Sequence, residues 1–296
     1  SAGLDPVMAG LAAALDHYKH DRFAACLQAV ATIPHGLPEV LLAEADLVRA
    51  SCLMTTRSDQ DRADGRAILE AWSGFESSEP DVGTRILQLL LFGLTMVPDK
   101  EPGRRVEARI KSVLRTRVGF DEAAVDAMYV LDRCSSSLYE PDVSVVRTRE
   151  AAAYFGPDGE QTVIRRPVEY FLSLVNLAAD LVVNARYAEA RETSATLEQF
   201  VAGFDSGVFP RLDYPRTTAL LADYRLGIVE AGAAANMQRQ INSLNAANDD
   251  PFYSENALAA YLALNGQFAE ALEMYDQLAR RIAAIQNPEP SMSYLV

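Results

Sequence analysis

A small residue returns about every forty-one positions along this 296-residue chain, each time early in an apolar-periodic stretch: Cys26, Ala67, Ala108, Ala190, Ala231 and Ala271. The steps are 41, 41, 82, 41 and 40 residues, and the double step leaves room for a further unit around Arg149 to Ala153. Self-similarity at a period of roughly 20 to 50 residues marks a chain that stacks one supersecondary unit many times. No such unit can bury its apolar face alone, so each buries itself against its neighbours. The period therefore predicts an all-α chain, an α-solenoid of about seven helix-turn-helix units whose business is contact.

Proline placement supports the count. A proline at the first helical position lacks only an N–H that would have no partner there. Pro6, Pro38, Pro80, Pro141, Pro167, Pro215 and Pro251 each open an apolar-periodic stretch. Asp5, Glu79, Glu140 and Asp250 stand just before four of them, where a negative charge favours the positive helix start. The pattern predicts first helices at 6–19, 38–56, 80–97, 121–138, 167–184, 214–226 and 251–265. Second helices follow at 21–33, 62–75, 102–118, 141–155, 186–203, 228–245 and 267–286. Val143, Val145 and Val146 come nearest to strand alternation, and their flanks favour helix. The array reads as one domain over 1–296, with turn chemistry at Gly156-Pro157-Asp158-Gly159-Glu160 marking a candidate junction of two sub-arrays near 156–166.

Charge narrows the partners. There are 27 basic residues against 41 acidic ones, a formal net charge of −14. Such a surface repels nucleic acid and anionic membrane and leaves a basic protein or peptide partner open. Only Lys19, Lys100 and Lys111 are lysines, an arginine bias that points to a GC-rich bacterial genome. No apolar run reaches the roughly 18 residues of a membrane span, and the start lacks the basic and apolar regions of a leader. Three cysteines at wide spacing form no disulfide framework and fit a cytoplasmic chain.

The last unit is the most regular. Residues 256–278 read N-A-L-A-A-Y-L-A-L-N-G-Q-F-A-E-A-L-E-M-Y-D-Q-L. Small and large apolar residues fill a first helix, Gly266 sits at the turn, and Phe268, Ala271, Leu272 and Tyr275 mark a second. Residues 176–197 repeat the theme around Tyr187 and Ala190, and 20–27 do so around Phe23 and Cys26. This pattern resembles a tetratricopeptide (TPR) repeat, with units longer than that family's usual 34 residues or so. The resemblance implies a right-handed solenoid with first helices lining a concave groove, acting as a protein-binding scaffold or sensor without enzymatic activity or cofactor. Ala271 leaves room for two antiparallel helices to approach, with Phe268 and Tyr275 expected to fill the space beside it.

In such a groove a carboxamide can donate to and accept from a peptide unit. The resemblance assigns this role to Asn256 and Asn176 on first helices, flanked by Tyr253 and Tyr170. A second candidate is the basic run Arg104, Arg105, Arg109, Lys111, Arg115 and Arg117. Within it, Arg105 and Arg109 are i, i+4 neighbours that suit a small anion or phosphorylated ligand of a regulatory domain. Metal readings fail on their own terms. Asp59, Asp61 and Glu70 take calcium-loop places, but Asp64 stands where the loop needs glycine. His17 and His20 lack a third ligand at a defined spacing. No nucleophile elbow or phosphate loop is present, and an (α/α)-toroid enzyme would need acids clustered in a central pocket.

Overall fold

The computed structural model describes residues 4–19, 23–34, 36–56, 58–76, 80–116, 122–157, 166–204, 209, 212–244 and 252–284. Among them are fourteen α-helices and no strand. They are α1 (Leu4–Lys19), α2 (Phe23–Ala31), α3 (Glu39–Met54), α4 (Asp59–Trp72), α5 (Pro80–Thr95), α6 (Glu101–Thr116) and α7 (Glu122–Leu138). There follow α8 (Pro141–Phe155), α9 (Pro167–Val183), α10 (Tyr187–Val201), α11 (Asp213–Arg225), α12 (Ala231–Leu244), α13 (Phe252–Leu264) and α14 (Phe268–Ala284). Every expected helix is present, most within three residues of its predicted ends. Pro141 and Pro167 open their helices as first residues, and no helix is long and apolar enough to cross a membrane.

The chain divides between Leu138 and Tyr139 into two compact units. In the first, α1, α3, α5 and α7 follow one another as a row, with α2, α4 and α6 packed beside them. In the second, α9, α11 and α13 form the row, with α8, α10, α12 and α14 as their companions. The fourth expected hairpin is thus shared out, α7 to one unit and α8 to the other. The stretch 156–166 connects α8 to α9, which pack against each other inside the second unit; residues 158–165 lie outside the described ones.

Three hairpins of the second unit turn in the same way. Arg186 N donates to Leu181 O at 2.8 Å, Ile228 N to Asp223 O at 2.9 Å and Gln267 N to Leu262 O at 2.9 Å. The residue just before each donor has a positive φ: Ala185 at 56°, Gly227 at 71° and Gly266 at 81°. This is the helix-ending turn that satisfies late carbonyls by a left-handed residue. It also explains why the second helix expected from 228 starts at Ala231: Ile228 belongs to the turn.

The small-residue register needs correction. Cys26, Ala190 and Ala271 are buried as expected, but Ala67 and Ala108 are exposed and Ala231 is only half-buried. The buried small residue is the fourth of its helix in α2 (Cys26), α8 (Ser144), α10 (Ala190), α12 (Ala234) and α14 (Ala271). In α4 and α6 a glycine makes the close contact instead, Gly65 as the seventh residue of its helix and Gly103 as the third. A Cβ added at Gly65 would lie 3.0 Å from Ala50 O and 3.2 Å from Leu53 Cβ, so α4 lies almost directly on α3. At Gly103 it would lie 2.6 Å from Leu138 Cδ2, where α6 meets α7. The even 41-residue step from Cys26 lands on Ala67 and Ala108. The packing instead uses the one residue with no side chain.

Beside Ala271 the expected fillers are also different. Phe268 and Tyr275 point away, and the space is filled by Leu258, Tyr261 and Leu262, with Met274 against the cluster. Some contacts between helices are polar. Ser144 Oγ donates to Asp180 Oδ2 at 2.6 Å between α8 and α9, and Gln238 Nε2 donates to Thr217 Oγ1 at 2.8 Å between α12 and α11. Burial pushes the Asp180 carboxyl above the usual carboxylate range, against the lowering effect of the Ser144 and Thr148 hydroxyls.

Two outcomes test this packing. Gly65→Val should destabilise by about 1–3 kcal/mol through overpacking, whereas Ala67→Leu should stay within about 0.5 kcal/mol; urea unfolding measures both. Ala185→Gly should raise stability by roughly 0.5–1 kcal/mol, because alanine is strained in the left-handed region more than glycine's extra chain entropy offsets.

Candidate binding pocket

In the second unit, two successive first helices bring their exposed faces together around a pocket of about 230 Å³. From α13 come Tyr253, Asn256, Ala257, Ala260, Tyr261 and Leu264; from α11 come Leu221, Tyr224 and Arg225. The spacing is three and four residues throughout, the repeat of a single helix face. Ala257 and Ala260 leave the room, and rings and leucines form the wall. The volume lies below the roughly 300–1,000 Å³ of sites for drug-sized ligands, so it suits one side chain.

The polar groups of the pocket differ in how they are held. Tyr214 and Tyr253 lie with ring centroids 4.4 Å apart. Thr218 Oγ1 donates to Tyr214 O at 3.0 Å, leaving Tyr253 Oη to donate to Thr218 Oγ1 across 3.3 Å. Burial raises the Tyr253 phenol above its ordinary range. Tyr261 is only 2% exposed and packs edge-on against Tyr224 at 5.5 Å. Its hydroxyl is buried without a hydrogen-bond partner among the described residues. Burial drives that phenol strongly upward, so it stays neutral and remains a donor. Asn256 is half-buried at the pocket with no partner for its carboxamide among the described residues. Arg225 is exposed there, and its neighbour Asp223 is engaged by Arg191 at 2.7 Å.

No protein-family model matches the chain, and no curated protein matches it. Two solved structures do, both of the nearly identical TPR-like repeats of a putative kinesin light chain from Podosopora anserina. They are 16% and 17% identical to this chain, with TM-scores of 0.53 and 0.52, over 72% of it and 100% of their own length. The fold is a TPR-like helical repeat. At that identity the likeness carries fold alone.

The TPR-like register separates the residues singled out in the sequence. Asn256 and Tyr253 both line the pocket. Asn176 is half-buried on α9 and engaged by a neighbour. It stands nine residues before Ala185, whereas Asn256 stands ten before Gly266. One residue is about 100° around a helix, so the two amides occupy different faces. Tyr170 is an interior residue, 8% exposed and edge-on to Phe200 at 5.1 Å.

From Arg104 to Arg115 the basic run lies on α6 of the first unit and works largely as structure, while Arg117 lies outside the described residues. Arg109 donates to Ser73 O and Phe75 O, closing the end of α4. Arg105 is an exposed partner of Glu101 at 3.8 Å, Arg104 Nε donates to Leu138 O, and Lys111 pairs with Glu107 at 2.5 Å. Arg105 and Arg109 therefore reach for different partners. Sequence reasoning missed Leu221, Tyr224, Arg225, Tyr261 and Leu264. Their signal was present: Tyr261 and Leu264 continue the face of Tyr253 and Asn256, and Tyr224 and Arg225 close the preceding first helix.

Tyr261→Phe removes an unsatisfied buried hydroxyl. It should raise the stability of the unliganded chain by about 1 kcal/mol, measured by urea unfolding.

Proposed function

We propose that this chain is an interaction module that binds a partner protein through an extended peptide laid across first helices of its second unit. The pocket between α11 and α13 takes one apolar side chain of that peptide. The observation that carries the reading is the pairing of apolar wall and unengaged polar groups. The Asn256 carboxamide lies at a pocket whose buried Tyr261 hydroxyl is unmatched among the described residues. A carboxamide offers two donors and an acceptor, the complement of a peptide unit, and a pocket of this type gives an anchor residue its desolvated seat. Arg225 adds a positive charge at this pocket of an acidic chain and suits an acidic residue or carboxylate beside the anchor. The mode is binding, as a scaffold or sensor part, with no chemical step.

The experiment is selection from a random peptide library on the purified chain, followed by fluorescence anisotropy with the selected peptides. Asn256→Ala should weaken them by about 1 kcal/mol, roughly fivefold in Kd, with an unchanged melting curve. Tyr261→Phe should weaken binding while raising stability, an opposition of signs that a general packing defect does not produce. Selected peptides indifferent to both substitutions would remove the pocket from the proposal.

A further inference from the structure

Each second helix of the second unit is covered by the helices that follow it, until the last. α10 carries α11 and α12 carries α13, whereas α14 packs on α13, with an ion pair back to α12, and no later helix lies among the described residues. The covering position can be read from the fifth residue of each second helix. On α10 it is Arg191, itself exposed but tied by its Nε to Asp223 of α11 at 2.7 Å, and Ser194 three residues on is buried. On α12 it is Ala235, buried in the cluster that holds Leu258 and Leu262 of α13. On α14 it is Leu272. Leu272 is 62% exposed, and its neighbours on the same face, Phe268 and Tyr275, are 70% and 38% exposed. The spacing of four and three residues makes them one stripe. No described helix covers this stripe of α14, which is apolar and exposed.

Two of the three steps between successive second helices carry an ion pair that gives the charge of what fits; at the α10 to α12 step Ala195 and Ala233 stand in those places. Arg149, ninth residue of α8, pairs with Glu189, third of α10. Arg239, ninth of α12, donates to Glu270, third of α14, at 2.9 Å. The ninth residue of α14 is Asp276, an exposed acid, with Glu273 exposed beside the same stripe. The sign at that place is inverted, so the complementary group is basic.

We propose that this face of α14 is a docking site for an amphipathic α-helix of a partner protein. That helix is apolar where it covers Phe268, Leu272 and Tyr275 and basic where it passes Asp276 and Glu273. Two other occupants match the charge poorly. A second copy brings the same acids and a net charge of −14. Residues 285–296 contain no basic residue and two prolines, Pro288 and Pro290, which oppose a helix.

The test uses two synthetic amphipathic helices of about five turns, roughly eighteen residues, with one leucine-alanine stripe and either lysine or glutamate flanks. Fluorescence anisotropy measures their binding to the 296-residue chain. The lysine peptide should bind and the glutamate peptide should not. Leu272→Asp should weaken the lysine peptide about tenfold or more, since a buried leucine is worth that much. General attraction between a cationic peptide and an acidic protein predicts the opposite, because this variant adds a negative charge. Asp276→Lys should weaken the lysine peptide roughly threefold and admit the glutamate peptide. Asn256→Ala should leave both unchanged, which separates this face from the pocket. Equal binding of the two peptides overturns the proposal, as does indifference to Leu272→Asp. So does a dimer in sedimentation that Leu272→Asp dissociates, which assigns the face to a second copy. Tighter lysine-peptide binding after deletion of 285–296 overturns it in favour of the chain's own end.

Discussion

The closeness of two helix backbones governs this molecule. Where a second helix crosses its neighbour, the crossing residue has at most two heavy side-chain atoms, and in α4 and α6 it has none. Gly65 sets α4 so close to the carbonyl of Ala50 that an added methyl group would make a neighbour shift; Ala190, Ala234 and Ala271 are the buried small residues of their helices. Such crossings bring the flanking large residues within contact range on both sides, and so fix which faces are buried. Those left over become available for binding: the first-helix faces of α11 and α13, and the outer face of α14. Both candidate surfaces are consequences of how the hairpins close.

Much of this was legible in the chain. Proline at helix starts and apolar periodicity act within a few residues, so all fourteen helices could be placed from local pattern. The phase of the repeat was harder. It is set by contacts across the hairpin, and glycine and alanine compete for such contacts with opposite effects on helix propensity. The reading followed the even step to Ala67 and Ala108, while the contact belongs to Gly65 in α4 and Gly103 in α6. The turn shows the same ambiguity in reverse: Gly266 was evident as a turn residue, but Ala185 occupies the equivalent left-handed place, which no composition rule assigns to alanine.

The pocket was half legible for a related reason. Asn256 and Tyr253 lie on one helix in the most regular unit, so their common face could be inferred. Their partners Tyr224 and Arg225 belong to the preceding unit, and a reading that takes repeats one at a time does not join them. Asn176 shows how sharply the helix punishes a small error: one residue in register moves a side chain by more than a quarter turn. The arginines of α6 show the other limit. Arg109 reaches carbonyls 34 and 36 residues away, and a charge run seen in one dimension reads as a ligand site.

A stack of similar hairpins carries a hazard in its own likeness. If every interface were apolar and alike, one hairpin could seat itself against the wrong neighbour, within the chain or in another copy, at little loss of free energy. The polar contacts between helices bear on this. Asp180 requires the hydroxyl of Ser144, and Gln238 meets Thr217; neither group has a counterpart at the other crossing. A misplaced hairpin would bury a carboxylate or an amide against alkyl groups, a loss of about 1–3 kcal/mol or more for each unmatched group. These pairs therefore act as addresses. They contribute modestly to the stability of the correct stack and much more to the instability of a shuffled one.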